Sequence, residues 1–463
     1  AMRKSEYALG AGVFIRYVDT AKRLRSTAGP LFCMTYPVFR TAGGAEKAPY
    51  KSDFVLMKRR SNMKKKLLAF VMAATMVFSL AACGSSSSND SSNSGSSSDS
   101  DSAQSGDEVQ TFKLGSIGPL TGDAAIYGQA VVNGAELAVE EINASDSKIK
   151  FEFKGEDDEA DGEKSTNAYN QLMDWGMQVL AGPVTTTPTL AVAAESVNDN
   201  MFVLTPSASA QTVIETGDNV FQICFTDPNQ GVASADYIAE NALATKIGVI
   251  YDSSDAYSSG IYAKFKTEAE SKGLEIVTAE AFTSDNKSDL STQVAKCQEA
   301  GAELVFLPIY YTEASQILTY ANRISYAPKF FGCDGMDGIL TVEGFDTSLA
   351  EGLALMTPFD ANATDEATQS FVAKFKEKMD GLVPNQFAAD GYDVIYAIYN
   401  AMTAAGITGN ESASEICDAL KAQFATMTVD GLTGTGMHWD ENGMISKSPA
   451  AVVVENGVYV PMD

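Results

Sequence analysis

Gln178-Val179-Leu180-Ala181-Gly182-Pro183-Val184-Thr185-Thr186-Thr187-Pro188 is the stretch that decides the architecture. An apolar run of strand length stops at a Gly-Pro break. Pro188 then suits the first turn of a helix, where a missing N–H costs nothing. The three threonines ahead of it place hydroxyls and free backbone N–H groups at one helix start, a setting that accepts anions readily. The next apolar run, 202–205, ends in a second hydroxyl-rich loop, Thr205-Pro206-Ser207-Ala208-Ser209-Ala210. Either loop alone reads as a helix cap. Side by side at one sheet edge, the two could hold one carboxylate.

Outward from this unit the same strand–helix rhythm continues. It predicts strands at 111–117, 149–153, 178–182, 202–205 and 220–225, with helices at 128–143, 163–174 and 188–198 between them. A second series places strands at 246–251, 275–282, 303–309, 329–332 and 352–357, with helices near 231–242, 258–271, 288–299 and 312–324. Helices over 366–379 and 388–404 follow, and strands 450–454 and 457–460 turn at Asn456-Gly457. Such alternation predicts an α/β fold of two doubly wound parallel-sheet lobes, with ligands held beyond the carboxyl ends of the strands. The first lobe is expected over 110–227 plus 359–432 and the second over 228–358 plus 435–463, with three hinge crossings near 226–230, 355–360 and 432–437.

The N-terminal part reads differently. Lys64-Lys65-Lys66, the apolar run Leu67–Leu80 and Leu80-Ala81-Ala82-Cys83-Gly84 have the layout of a secretory signal peptide over 63–82. Its end resembles a bacterial lipobox, in which Cys83 carries the lipid and becomes the mature N-terminus. The apolar run is 14 residues, short of the roughly 20 that a membrane-spanning helix needs. Residues 1–62 are expected to be an upstream leader or the product of a misplaced start, outside the fold. Over 83–109 the chain reads as a tether, because serine fills 13 of the 23 positions from 84 to 106. Its end-to-end distance is about 25 Å. These features place the protein outside the cytoplasm, anchored by lipid to the outer face of a bacterial cell membrane.

The whole chain carries a formal charge of −27. Residues 1–82 hold 15 of its 33 Lys+Arg and 4 of its 60 Asp+Glu, so the part after them has 18 basic and 56 acidic residues, a charge of −38. A surface of that sign repels nucleic acid and anionic lipid. Arg323 is the one arginine in that part, so an arginine fork for a carboxylate is not expected. Cys224, Cys297, Cys333 and Cys417 are widely spaced, show no CxxC pair and suggest neither a zinc site nor a redox motif. The acidic run Asp157, Glu159, Asp161, Gly162 lacks the glutamate a calcium loop needs at its twelfth position, where Ala168 stands. Asp161 reads instead as a helix start. His438 is the sole histidine and has no nucleophile setting around it, so a structural role is expected. No cofactor or metal is expected.

Several further pieces follow one another in order: Gly118-Pro119-Leu120-Thr121-Gly122, Tyr127-Gly128, Asn133-Gly134-Ala135-Glu136-Leu137-Ala138, Asp157-Asp158-Glu159, Asp227 with Gln230-Gly231, Tyr251-Asp252, Gln316-Ile317-Leu318 and Gly434 with Trp439-Asp440. In this order and spacing the chain resembles the branched-chain amino-acid-binding family of type I periplasmic binding proteins, the substrate-capturing components of ABC importers. The resemblance implies a ligand α-carboxylate on Thr186 and on Ser207, Ala208 and Ser209. It implies a ligand ammonium on Asp334, with Tyr257, Tyr310 and the entrance aromatic Tyr127 as further contacts. It also implies partnership with the membrane-spanning permease subunits, a monomeric state and no enzymatic activity. Asp334 is one methylene shorter than the family's usual glutamate. Ala160 and Thr185 stand where some members have a disulfide, and Gln222 where many have arginine. These departures leave the side-chain preference for leucine, isoleucine or valine open. Two other readings remain at this point: a ligand-sensing module of a signalling receptor, and a hydrolase.

Overall fold

The computed structural model describes residues 109–462, so the readings of 1–62, of the signal peptide, of Cys83 and of nearly all of the tether lie outside the described residues. The first half of the chain forms β1 (Gln110–Gly118), α1 (Ala125–Ala144), β2 (Ile149–Asp157), α2 (Gly162–Trp175), β3 (Val179–Ala181), α3 (Thr186–Asp199), β4 (Val203–Thr205), α4 (Gln211–Ile214) and β5 (Val220–Gln222). The second series is α5 (Asp227–Glu240), β6 (Lys246–Asp252), α6 (Ala256–Ser271), β7 (Glu275–Phe282), α7 (Ser291–Ala300), β8 (Leu304–Leu307), α8 (Tyr311–Arg323), β9 (Lys329–Gly332) and β10 (Ala354–Thr357). The remainder is α9 (Glu366–Lys378), α10 (Gln386–Ala405), α11 (Ala413–Phe424), β11 (Thr428–Gly431), β12 (Gly434–His438), β13 (Ala450–Glu455) and β14 (Val458–Pro461).

One sheet has the order β2-β1-β3-β4-β5, with every pair parallel. The other runs β7-β6-β8-β9-β10 in parallel and adds β13 and β14 as an antiparallel edge. The two parallel parts thus repeat one strand order, second-first-third-fourth-fifth. Strands β3, β4, β5, β8 and β10 are buried along their whole length, as parallel strands covered by helices on both faces must be. This is the expected α/β architecture of two doubly wound lobes. Asp161 caps α2 by accepting a hydrogen bond from the Lys164 N–H at 2.9 Å, the role expected of it in place of calcium binding.

The first sheet's core takes in α10 and α11, together with Met437, Trp439 and Ile445. The Trp439 ring lies 4.4 Å from Phe424, and its Nε1 donates to the Gln222 carbonyl at 2.7 Å. The Gln222 N–H in turn donates to the Gly443 carbonyl at 3.2 Å. The segment around 437–445 therefore belongs with the first lobe, not with the second as the expected boundary at 435 had it. Burial of its apolar side chains holds it there, and the chain joins the second sheet only at β13.

Helices α1 and α10 approach unusually closely. A Cβ at Gly134 would overlap the Ala388 carbonyl, and one at Gly391 would overlap the Val131 carbonyl. That approach brings Tyr127 of α1 to Phe387 of α10, with ring centroids 4.5 Å apart. The four cysteines in the described residues are free and buried. No helix among the described residues is long and apolar enough to cross a membrane. We expect Gly134→Ala to cost about 1–3 kcal/mol of stability by forcing the two helices apart. Chemical denaturation reads this as a lowered midpoint, and an unchanged midpoint would contradict the close approach.

Candidate functional site

The loops that leave the carboxyl ends of the strands meet between the lobes. Tyr127, Val184, Thr185, Thr186, Ser207 and Phe387 from one lobe and Tyr257, Tyr310, Asp334 and Gly335 from the other line a single narrow chamber. Six residues singled out in the sequence, Tyr127, Thr186, Ser207, Tyr257, Tyr310 and Asp334, are among them.

Asp334 opens a short 3-10 turn directly after β9. It is 4% exposed, and no ion pair reaches its carboxyl among the described residues. Its Oδ1 accepts from the Tyr257 hydroxyl at 2.7 Å and from the Gly335 N–H at 2.8 Å. Its backbone is fixed on both sides: its N–H donates to Gln230 Oε1 at 3.1 Å, and its carbonyl accepts from Gln386 Nε2 at 2.9 Å. Burial pushes the Asp334 carboxyl up to about 6, although the Tyr257 hydrogen bond pulls it down. Asp255 at the cleft mouth is pushed up to about 6 by burial and by neighbouring Asp252. Buried Asp227 is raised well above the ordinary range by burial, then by Asp334 and Asp255. The interior of the cleft is acidic, and among the described residues no cation pairs with these three carboxyls.

The opposite wall is built of donors. Thr186 is the first residue of α3, and the N-cap Thr185 makes no side-chain cap hydrogen bond. The leading N–H groups of that helix therefore point toward the chamber without a capping oxygen. Thr185 Oγ1 at the chamber is buried without a hydrogen-bond partner, and so is Ser209 Oγ, although Ser209 does not line the chamber. Ser209 lies close enough to Asp227 to lower its pKa, yet forms no hydrogen bond of ordinary geometry with it. Ser207 already donates its hydroxyl proton to the Val184 carbonyl at 2.7 Å, which leaves its backbone N–H as a donor. The structure does not bring Ala208 to the chamber. Its N–H donates to Thr205 Oγ1 at 3.0 Å and its carbonyl accepts from Gln222 Nε2 at 2.6 Å, so both of its polar groups are used within the first lobe.

Aromatic rings close the space between the walls. Tyr127 meets Tyr310 at 5.3 Å and Tyr311 at 4.9 Å, and Tyr257 meets Tyr310 at 5.1 Å. The Tyr127 hydroxyl donates across the cleft to the Gly335 carbonyl and accepts from the Tyr311 N–H at 3.3 Å. Lys287 joins Asp123 of the first lobe at 3.1 Å and Glu313 at 2.9 Å. These contacts join the two lobes across the chamber. Gln230, Gln386 and Phe387 went unnoticed as site residues in the sequence. Gln230 appeared only as a piece of the family pattern, and nothing local marks Phe387, which arrives from a helix outside the strand–loop–helix units. His438 is exposed on β12 and pairs with Ser446 Oγ at 2.9 Å, but neither residue lines the chamber. Among the described residues no group of His, Cys, Asp and Glu could hold a metal ion.

A chamber built from both lobes, with a lone acid facing uncapped donors, is the setting in which the comparisons with known proteins fall. The periplasmic binding protein family model matches residues 111–457. The chain belongs to the periplasmic binding protein family. It is 29% identical over 302 residues to a Leu/Ile/Val-binding protein homolog of Brucella melitensis, covering 64% of this chain and 79% of that protein. A branched-chain amino acid transporter substrate-binding protein from Streptococcus pneumoniae, solved with isoleucine, superposes with a TM-score of 0.69 at 25% identity, covering 76% of this chain and 98% of that one. A solute-binding protein of an ABC transporter from Rhodopseudomonas palustris, solved with 3,4-dihydroxybenzoic acid, shares the fold with a TM-score of 0.68 at 22% identity, over 76% of this chain and 96% of that one. The resemblance stated from the sequence is borne out, and this periplasmic binding protein is a substrate-binding protein, not an enzyme.

The raised acids carry a consequence for stability. The folded protein keeps a proton on Asp334 that the unfolded chain releases above about 4. Its contribution is therefore present in full below that pH, is lost as pH rises through about 6, and is absent above. Asp334→Asn keeps the acceptor and removes the charge. The ligand-free variant is expected to melt above the parent at pH 7.5 and with it at pH 4. Equal melting temperatures at pH 7.5 would show that the carboxylate is not buried at a cost.

Proposed function

We propose that this periplasmic binding protein is the extracytoplasmic receptor of an ABC importer and captures a neutral α-amino acid in the cleft by hinge closure. One observation carries the reading: a buried carboxyl without a cation faces uncapped helix N–H groups and hydroxyls across a chamber walled by rings. A zwitterion supplies both missing charges. Its ammonium would pair with Asp334, and its carboxylate would lie on Thr186, on the Ser207 N–H and on Ser209. Charge-assisted hydrogen bonds of this kind strengthen once closure removes water. The rings leave no second charged partner at the chamber wall, which supports a neutral side chain. The relatives' names support the same class: one is called Leu/Ile/Val-binding, and another was solved with isoleucine. Two walls on two lobes support closure, since only the closed form lets both touch one small molecule.

Calorimetric titration with the amino acid that most raises the melting temperature tests this directly. Asp334→Ala is expected to fold and to weaken binding by about 2 kcal/mol or more, the cost of leaving a buried charge unpaired. Unchanged affinity would remove Asp334 from the site. For the anchor, we infer that Cys83 is lipidated, because it ends a signal-peptide-like run and precedes a serine tether. Cys83→Ser, expressed in a bacterium that processes lipoproteins, is expected to leave the membrane fraction for the soluble one. Retention in the membrane would exclude the lipid as the anchor.

A further inference from the structure

A second cavity lies between the lobes and shares no lining residue with the chamber. It measures about 430 Å³, within the range of small-molecule pockets. Helix α1, Phe375 on α9 and the loop that leads into α10 form one side, and the segment from Asp337 to Thr341 with β14 forms the other. Leu340, Phe359, Phe375, Leu382, Val383 and Val458 give it apolar walls. Leu382, Val383 and Val458 are 47%, 51% and 51% exposed, and they are half of the six large apolar side chains that face solvent among the described residues. Such side chains scattered singly need no explanation, but three around one cavity set it apart as a binding surface.

The same cavity is lined by an acid. Asp337 is 3% exposed, and its Oδ2 accepts from the Gln386 N–H at 2.9 Å. Its Oδ1 is buried without a hydrogen-bond partner, and no ion pair reaches the carboxyl among the described residues. Burial pushes this carboxyl up to about 6, so it is still ionised at neutral pH. Tyr459, another lining residue, lies close enough to lower that pKa, yet its hydroxyl is buried without a hydrogen bond of ordinary geometry. Lys376, the cation of the lining, forms no ion pair with Asp337. Gly338 fixes the backbone beside the acid: its φ is +104°, and a Cβ there would meet Ile126 Cγ2 of α1 at 2.7 Å. We propose that this cavity is a second ligand site, which takes an amphipathic monoamine whose ammonium pairs with Asp337 and Tyr459 and whose hydrocarbon body fills the apolar walls. Charge decides the class. An anion would be repelled, and a neutral alcohol would leave the buried carboxylate without a countercharge. This site does not depend on what the chamber binds.

Titration calorimetry at neutral pH with 2-phenylethylamine and hexylamine, set against 3-phenylpropionate and 2-phenylethanol, tests the site. At least one amine is expected to bind tenfold or more tightly than the acid and the alcohol. Asp337→Asn keeps an acceptor for the Gln386 N–H and removes the charge, and it is expected to lower amine affinity at least tenfold. Val383→Arg adds a cation on the exposed wall, away from the chamber lining, and is expected to lower amine affinity at least threefold. It also decides the matter should the asparagine variant not fold. Amine affinity unchanged by Val383→Arg would put the amine elsewhere, in the chamber for instance, and overturns the proposal. So does equal binding of the alcohol or the acid. Binding of neither amine leaves the apolar walls to a macromolecular partner and overturns it as well.

Discussion

A carboxyl buried without a countercharge is the constraint around which this cleft is arranged. Asp334 gives up its hydration for two hydrogen bonds, from Tyr257 and from the Gly335 N–H. Two hydrogen bonds do not compensate an ionised carboxylate out of water, and the group responds by holding its proton to a higher pH. Gln230 and Gln386, one from each lobe, clamp the backbone on either side, so the carboxyl cannot turn out to solvent. Local destabilisation of this kind is expected where a ligand completes the structure.

The repeat between the lobes explains how the two walls come to differ. Tyr127 and Tyr257 follow the first strand of their respective sheets, Thr186 and Tyr310 follow the third, and Ser207 and Asp334 the fourth. Equivalent loops thus face one another across the cleft, each at the point where ligands gather in open parallel sheets. One set carries hydroxyls and a helix start, the other an acid and rings. A symmetric scaffold in this way offers a dipolar molecule two unlike ends. The closely packed pair of α1 and α10 adds Phe387, which belongs to neither set.

Most of the architecture was legible in the sequence because each strand is short, apolar and followed by a punctuated helix. What escaped has physical reasons. Four-residue α4 is too short to show a period. β11 and β12 are joined and interrupted by glycines that read as loop. Helix α11 did announce itself, with a capping box from Ser412 to Glu415, and was passed over. The expected boundary near 435 put Trp439 in the second lobe, whereas its ring is core to the first sheet. In the site, residues adjoining strand ends were readable. Ala208 was lost to a hydrogen bond within its own lobe, and Phe387 and Gln386 came from a distant helix. Tertiary approach alone decides such cases.

Proton release on binding tests the central claim most directly. Calorimetry at pH 6 in buffers of different ionisation enthalpy, using an amino acid that stabilises the protein, counts the protons exchanged. An ammonium that pairs with Asp334 drives off the proton that burial had retained, and the account predicts net release of roughly half a proton at that pH. No exchange, or uptake, would contradict it.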